Sequence, residues 1–265
     1  MDKDMSIEWE PVDCCPVCKY KGMPSIENLD HELNDTIHVY WCPRCLCSYH
    51  NPRMSQKSIA EYYSSGFYRS HPSRCISPAR NERKRTAAAM KVHMIEGFRR
   101  DIGIEIKSYL DYGTGRGHLL KEIEKKYGGR GVGYDVYQDP DAVIEIVTSK
   151  DKIEGKFDLI ACCHVLEHLP NPLEELDWMV SKLNLGGMLF LELPFTRLVF
   201  PAHPILFSRE SIFRLMRHIR ARYIFYDTQY LNDNGFIIAQ PNNVTDLSLV
   251  DYDPHSIGYL REEPL

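Results

Sequence analysis

The chain has 265 residues, 43% of them hydrophobic, and a formal net charge of −5. That suits one large domain, or one domain with a small module, and its bulk charge does not favour nucleic acid as a partner. No apolar run approaches the roughly 20 residues of a membrane span. The opening MDKDMSIEWE is acidic and has no apolar h-region, so it does not read as a signal peptide. Nine cysteines without an export signal point to reduced thiols or metal ligands in a cytoplasmic protein rather than to a disulfide framework.

Residues 1–55 read as a zinc ribbon. Cys15-Pro-Val-Cys18 and Cys42-Pro-Arg-Cys45 are two C-x-x-C pairs with 23 residues between them. A tight turn brings two thiolates onto one metal, and two such turns complete a closed tetrahedron that supports folding rather than chemistry. Cys15, Cys18, Cys42 and Cys45 are therefore the expected zinc ligands. Cys14 is too close to Cys15 to share its metal easily, whereas Cys47 is the better substitute. The glycine usual after each knuckle is replaced by Lys19 and Leu46.

Residues 56–104 read as a linker and a basic helix that cover a cofactor site. Ser55 is placed to cap a short helix carrying Ile59, Tyr62 and Tyr63. Tyr62, Tyr63, Phe67 and Tyr68 form an aromatic group able to pack between domains or to stack on a flat ligand. A helix is expected over 78–101, with Ala87, Met90, Met94 and Phe98 on one face. Charge is uneven: residues 1–60 carry 6 Lys/Arg against 9 Asp/Glu, residues 61–105 carry 9 against 5, and residues 197–222 carry six Arg against one Glu. The two basic segments either frame an anionic substrate or are solvated helix faces.

Residues 105–241 read as an α/β domain. Tyr109 to Leu120 gives strand, glycine loop and helix, with Gly113, Gly115 and Gly117 in a G-x-G-x-G pattern. A dinucleotide fingerprint would need glycine at His118. Asp111, two residues before the first glycine, suits a ligand bearing a cationic amine better than a pyrophosphate. The following helix N-terminus favours a carboxylate. An ammonium and a carboxylate on one nucleoside describe S-adenosylmethionine (SAM). Asp135 closes a second strand, 131–137, 18 residues beyond Gly117, where an acid can accept both ribose hydroxyls. Further strands are expected at 143–149, 156–163 and 188–195, with helices at 173–184 and 209–219. Gly186-Gly187 would end the first of these helices, and Ser208 would cap the second. The runs 223–231 and 236–240, separated by Asn-Asp-Asn-Gly235, read as an antiparallel hairpin. The polar segment 242–265 forms a C-terminal tail.

LDYGTGRGHLL, GYDV and FDLIACCHVLEHLPNPLEEL…LNLGGMLFLELP resemble the class I SAM-dependent methyltransferases over about residues 105–240. That family has a seven-stranded Rossmann-like sheet whose last strand is antiparallel. The N-terminal ribbon running into N-P-R…Y-Y…F-Y resembles a subset of bacterial methyltransferases of sugar, polysaccharide and natural-product pathways. The resemblance implies that Gly113, Gly115 and Gly117 line the cofactor, that Asp135 holds the ribose, and that Val136 packs on adenine. It puts Thr148 or Ser149 at the adenine edge and Cys163 and His164 beside the methionine end. His203 falls where related enzymes place substrate-facing residues.

Taken alone, His164-Val-Leu-Glu167-His168 is the H-x-x-E-H of inverted zincin proteases. A strand pattern before it, and Pro170 and Pro172 after it, exclude the long helix such a site needs. Some quinone-pathway O-methyltransferases resemble this region, carry an acid where His164 stands, and bind a divalent cation. His164, Glu167 and His168 either do likewise or are structural. The expected catalytic base is His203, with His164 second, since a neutral imidazole can take a proton from an attacking hydroxyl. Tyr63, Tyr68 and His203 are the expected substrate contacts. The sequence thus reads as a SAM-dependent methyltransferase with structural zinc, acting on a small hydroxyl-bearing or anionic acceptor. It implies no membrane partner and leaves a homodimer open. Two other readings are an RNA or protein methyltransferase, disfavoured by the acidic ribbon, and a non-catalytic binding module, disfavoured by the complete glycine loop.

Overall fold

A computed structural model of the chain describes residues 7–22, 25–30, 36–65, 77–194, 202–227 and 234–241. Tyr68, part of the linker and the tail 242–265 lie outside the described residues. The N-terminal part begins with strands β1 (Trp9–Glu10), β2 (Ser25–Asp30), β3 (Thr36–Trp41), β4 (Ser48–His50) and β5 (Arg53–Met54). The two cysteine knuckles have the same backbone. The Cys15 amide donates to the Tyr20 carbonyl and the Lys19 amide to Cys15; Cys42 pairs with Cys47 and Leu46 with Cys42 in the same way. Lys19 and Leu46 adopt left-handed φ values of 57° and 59°. A turn that usually takes glycine is thus built without it.

Helix α1 (Gln56–Ser64) starts at Ser55, whose hydroxyl accepts from the Ser58 amide. Helix α2 runs from Pro78 to Ile102, capped by Ser77 and stopped by Gly103 in the left-handed region. Its buried face is centred on Ala88, Val92 and Ile95, with Met94 and Phe98 of the expected stripe packed against it, whereas Met90 is exposed. Glu96 is also buried on this helix, where Arg99 and the Tyr127 hydroxyl donate to its carboxylate.

The main sheet follows with β6 (Ser108–Tyr112), α3 (His118–Tyr127), β7 (Arg130–Tyr134), β8 (Ile146–Val147), β9 (Phe157–Cys163), α4 (Pro172–Ser181) and β10 (Leu183–Pro194). After these come β11 (Ile205–Leu206), α5 (Arg209–His218), β12 (Ala221–Asp227) and β13 (Asn234–Pro241). Among the described residues, the main sheet pairs its strands in the order β12-β13-β10-β9-β6-β7-β8. The neighbours among β10, β9, β6, β7 and β8 are parallel, and β13 runs antiparallel to both β10 and β12. Alternate residues feed opposite faces. Tyr109, Leu159, Ala161 and Phe190 pack with α2 and α3. Leu110, Ile160, Cys162 and Leu191 pack with α4, α5 and the ribbon cysteines. Both faces of the sheet are covered, which is why its strands are almost continuously apolar.

Gly186-Gly187 does not end a helix. Helix α4 stops at Ser181, and the glycines lie inside β10 at a register shift between Leu183 and Met188. Gly186 has φ +76°, and a Cβ at Gly187 would meet carbonyl oxygens of Asn184 and Phe157 at 3.0 Å. The pair makes a bulge where two backbones approach closely. Asn234 and Gly235 likewise already stand in β13, opposite Pro194 and Leu193, and the hairpin connection lies outside the described residues.

The ribbon shares its sheet with the rest of the chain. β11 comes from the segment after β10, yet it pairs antiparallel with β4 to complete the order β11-β4-β3-β2. The Ser208 hydroxyl, which caps α5, also donates to the Cys45 carbonyl at 2.9 Å, and the His50 amide donates to Pro204 at 3.0 Å. The segment carrying His203 is therefore braced from the ribbon side.

Candidate active site

The glycine loop joins β6 to α3 at the carboxyl edge of the parallel strands, where open α/β sheets bind ligands. Gly113, Gly115 and Gly117 all have positive φ, from 57° to 81°. They do different work. A Cβ at Gly117 would strike Ile144 at 2.3 Å, whereas one at Gly115 would meet nothing within 4 Å. Gly115 therefore faces open space, where a ligand can approach the backbone. Its amide donates to Asp135 Oδ2 at 2.8 Å, and the Tyr137 amide reaches Oδ1. The acid after β7 is thus held against the loop. Burial pushes its carboxyl above the ordinary range, with backbone amides opposing. Val136 beside it is 54% exposed, a large apolar side chain left uncovered at the loop. Ser149 precedes a one-turn 3-10 helix at Lys150–Lys152, just past β8.

Asp111 is buried beneath the loop and accepts the Thr114 hydroxyl at 2.6 Å. Burial pushes its carboxyl up to about 6, against the pull of Thr114 and Lys91. Asp111 therefore braces the loop as well as offering a carboxylate to a cation.

At the end of β9 lies a chain of alternating charges drawn from three elements. Lys91 of α2 reaches Glu192 of β10 at 2.5 Å. Glu192 in turn lies 3.3 Å from His164 Nε2, and His164 Nδ1 lies 3.4 Å from Glu167. Both acids are buried, while the His164 side chain is 41% exposed. Burial raises the pKa of Glu192, but His164 and Lys91 overrule it and bring the carboxyl down to about 2. Burial likewise opposes charge on His164, yet the two carboxylates push its pKa up to about 9. His164 is therefore an imidazolium at neutral pH. To act as a base it would first have to lose that proton. His164 also has φ +54°, rare for a β-carbon residue and a sign of a backbone held in place by its surroundings.

Two of the residues expected to face the substrate converge with His168 one turn further on. His168 Nδ1 is 2.7 Å from the Ala202 carbonyl and 2.9 Å from the Tyr63 hydroxyl. The His168 and His203 rings meet edge to face with centroids 4.4 Å apart. Tyr63, His168 and His203 thus come together from α1, the turn after β9 and the segment before β11. Sequence reasoning named Tyr63 and His203 but gave His168 no such place. Glu192 and Lys91 were missed altogether; the available signal was an acid inside the apolar run LFLELP.

In the ribbon, one sulfur each from Cys15, Cys18, Cys42 and Cys45 lies within 4.8 Å of the others. The Cys15–Cys45 and Cys18–Cys42 separations are both 3.5 Å. A tetrahedron with metal–sulfur bonds of about 2.3 Å has edges of about 3.8 Å, so these four thiols fit one ion. Cys47 stands 3.4 Å from both Cys15 and Cys45, as a fifth sulfur at the edge of the group.

Parallel strands ending at a glycine loop, with an acid after the second strand held against it, define an α/β domain of the nucleoside-cofactor class. The chain belongs to the methyltransferase-domain family, whose match runs over residues 76–238. Ubiquinone biosynthesis O-methyltransferases of Shewanella halifaxensis (strain HAW-EB4) and Shewanella pealeana (strain ATCC 700345 / ANG-SQ1) are 29% and 28% identical over 104 residues. Those alignments cover 33% of this chain and 44% of each enzyme, so the chain spans less than half the length of these curated relatives. Among solved structures, 1,6-didemethyltoxoflavin-N1-methyltransferase from Burkholderia thailandensis, with bound S-adenosylhomocysteine (SAH), superposes with TM-score 0.52 and 15% identity over 82% of this chain and all of that one. Magnesium protoporphyrin IX methyltransferase from Synechocystis PCC 6803, with bound SAM, gives 0.50 and 14% over 71% of this chain and 97% of that one. At such identity the likeness is one of fold. Among the described residues, no helix is long and apolar enough to cross a membrane.

Proposed function

We propose that this protein transfers the methyl group of SAM to a hydroxyl of a small sugar-type or anionic acceptor. The observation that carries the reading is one of position. The Gly115–Asp135 loop, the exposed Val136 and the His168–His203–Tyr63 group all follow the carboxyl ends of the sheet strands or pack against them. SAM would bind along Gly113, Gly115 and Gly117, with its ribose on Asp135, its adenine against Val136 and Ser149, and its methionine end near Asp111, Cys163 and His164. The acceptor oxygen attacks the sulfonium methyl as the C–S bond breaks, and SAH leaves as a neutral thioether. The hydroxyl proton passes to the imidazole of His203. The sulfonium supplies the activated methyl, so holding the two reactants in line accounts for much of the rate. Tyr63 and His203 would contact the acceptor, with Tyr68 a further candidate from outside the described residues.

The ribbon would hold zinc through Cys15, Cys18, Cys42 and Cys45, closed to water and structural in role. Its strand pairing with β11 gives that ion an indirect hold on His203. The test is SAH release from zinc-loaded protein and SAM over a panel of hydroxylated sugars, phenols and hydroxy acids. Turnover that falls in His203→Ala while SAH still binds supports the reading. Unchanged turnover in that variant removes His203 from it.

A further inference from the structure

The ribbon gathers five thiols where a tetrahedral ion takes four. Cys15, Cys42, Cys45 and Cys47 are each 0% exposed, and Cys18 is half-buried. The Cys47 sulfur lies 3.4 Å from that of Cys15 and 3.4 Å from that of Cys45, which are themselves 3.5 Å apart. These separations are shorter than the edge of about 3.8 Å in a zinc tetrathiolate with bonds of about 2.3 Å. Buried cysteine often serves as a small apolar filler. Filling space does not by itself bring a further sulfur against two ligands of one ion.

The backbone fixes both members of the Cys45–Cys47 pair. They flank Leu46, whose left-handed φ of 59° turns the chain between them. The Cys42 amide donates to the Cys47 carbonyl at 2.9 Å and the Leu46 amide to the Cys42 carbonyl at 2.8 Å, which closes the second knuckle around both. The Cys45 carbonyl also accepts the Ser208 hydroxyl, and Cys47 leads into β4, the partner of β11. An exchange between the two sulfurs is therefore a side-chain rotation on a held backbone. Counting ligands says which position Cys47 can take. In place of Cys45 it keeps two ligands from each knuckle, and Cys42–Cys47 is then C-x4-C, a spacing that structural zinc sites use. In place of Cys15 it would leave the first knuckle on one ligand.

We propose that Cys47 is a reserve ligand of the ribbon ion and exchanges with Cys45 for one of its four positions. The inference rests on the reading of the ribbon as a zinc site. While Cys45 is bound, Cys47 is a thiol in contact with two ligand thiolates. In the exchange the bond from Cys45 to the ion breaks, the bond from Cys47 forms, and the Cys47 proton passes to the departing Cys45 thiolate. The two sulfurs touch, so no water need enter, and the charge of the site is unchanged. Nothing is oxidised or reduced. The consequence is a ribbon that keeps four thiolates when Cys45 or Cys47 is blocked, and with them the strand pairing that braces the His203 segment.

The test is exchange of Co2+ for zinc in the full-length chain, read by electronic absorption. Sulfur-to-cobalt charge transfer grows with the number of bound thiolates, so losing one of four lowers it by about a quarter. A cooperative melting transition reports that each variant is folded. Wild type, Cys45→Ser and Cys47→Ser are each expected to give the four-thiolate spectrum. Cys18→Ser and the double variant Cys45→Ser/Cys47→Ser are expected to lose about a quarter of the intensity. If Cys45→Ser has no melting transition, Cys45→Ala decides by the same spectrum, and loss of folding in both overturns the exchange. A three-thiolate spectrum in folded Cys45→Ser overturns the exchange and leaves the four-cysteine zinc site standing. A four-thiolate spectrum in Cys18→Ser or in the double variant overturns the pairing of Cys47 with Cys45. A wild type without thiolate-bound cobalt removes the zinc reading and the reserve ligand with it.

Discussion

Replacing Glu192 by Gln removes the central negative charge from the Lys91–Glu192–His164 chain. The side chains of Glu192 and Lys91 are 3% and 14% exposed, 2.5 Å apart, so water cannot make good the loss. Breaking a buried pair from one side costs about 3–5 kcal/mol, and for a domain of this size each kcal/mol is worth about 2–4 °C, so Tm should fall by roughly 6–20 °C. Replacing Lys91 and Glu192 together by Met should cost less than the sum of the two single changes, because no unpaired charge is left. The pH dependence has a definite sign. The folded pKa of Glu192 is depressed from 4.5 to about 2, so its contribution is present above pH 4.5 and is lost as pH falls toward 2. That of His164 is raised from 6.5 to about 9, so its contribution is complete below pH 6.5 and is lost as pH rises through 9. Calorimetry across pH, with imidazole signals followed by NMR, checks both. A Glu192→Gln protein melting within 2 °C of wild type, with His164 still titrating near 9, would refute the charge chain.

Three further outcomes follow from the cofactor loop and the ribbon. Asp135→Asn keeps a carbonyl for the Gly115 amide but loses the charged acceptor, so SAH affinity should drop roughly 10–150-fold by calorimetry, from about 1.5–3 kcal/mol for a charged hydrogen bond. Asp111, raised to about 6 by burial, penalises the ligand-free loop as pH rises from 3.8 through 6, and a bound ammonium relieves that penalty. SAH affinity should therefore increase with pH through 6 and become flat in Asp111→Asn. Cys42→Ser should lower the zinc content of purified protein, measured by elemental analysis, along with its melting temperature, because a closed thiolate site contributes directly to folding.

Much of this architecture is local in the sequence. Strand, glycine loop and helix occupy Tyr109 to Tyr127 without a break, and each knuckle is four residues long, so short windows suffice to read them. The helix starts at Ser55 and Ser208 were legible for the same reason, since a cap bonds only three residues away. What escaped depends on residues far apart. Lys91, His164 and Glu192 meet only once α2, β9 and β10 are packed. The two-residue strand Ile205–Leu206 has no pattern of its own and is defined by its pairing with β4. Lys19 and Leu46 run against local preference: the place after each C-x-x-C is the usual glycine position of the turn, and both residues adopt its left-handed backbone without being glycine. The charge of the His164 ring was equally hidden, since it is set by two acids, one of them 28 residues away in β10.

The central claim is that SAM lies against the backbone at Gly115. Titration of SAH into wild-type protein and Gly115→Ala tests it directly. The new Cβ meets nothing within 4 Å, so the folded protein pays only for the left-handed φ of 57°, about 1–2 kcal/mol. One SAH should bind per wild-type chain, and Gly115→Ala should remain folded with binding weakened at least tenfold. Absence of SAH binding in the wild type, or equal affinity in the variant, would contradict the account.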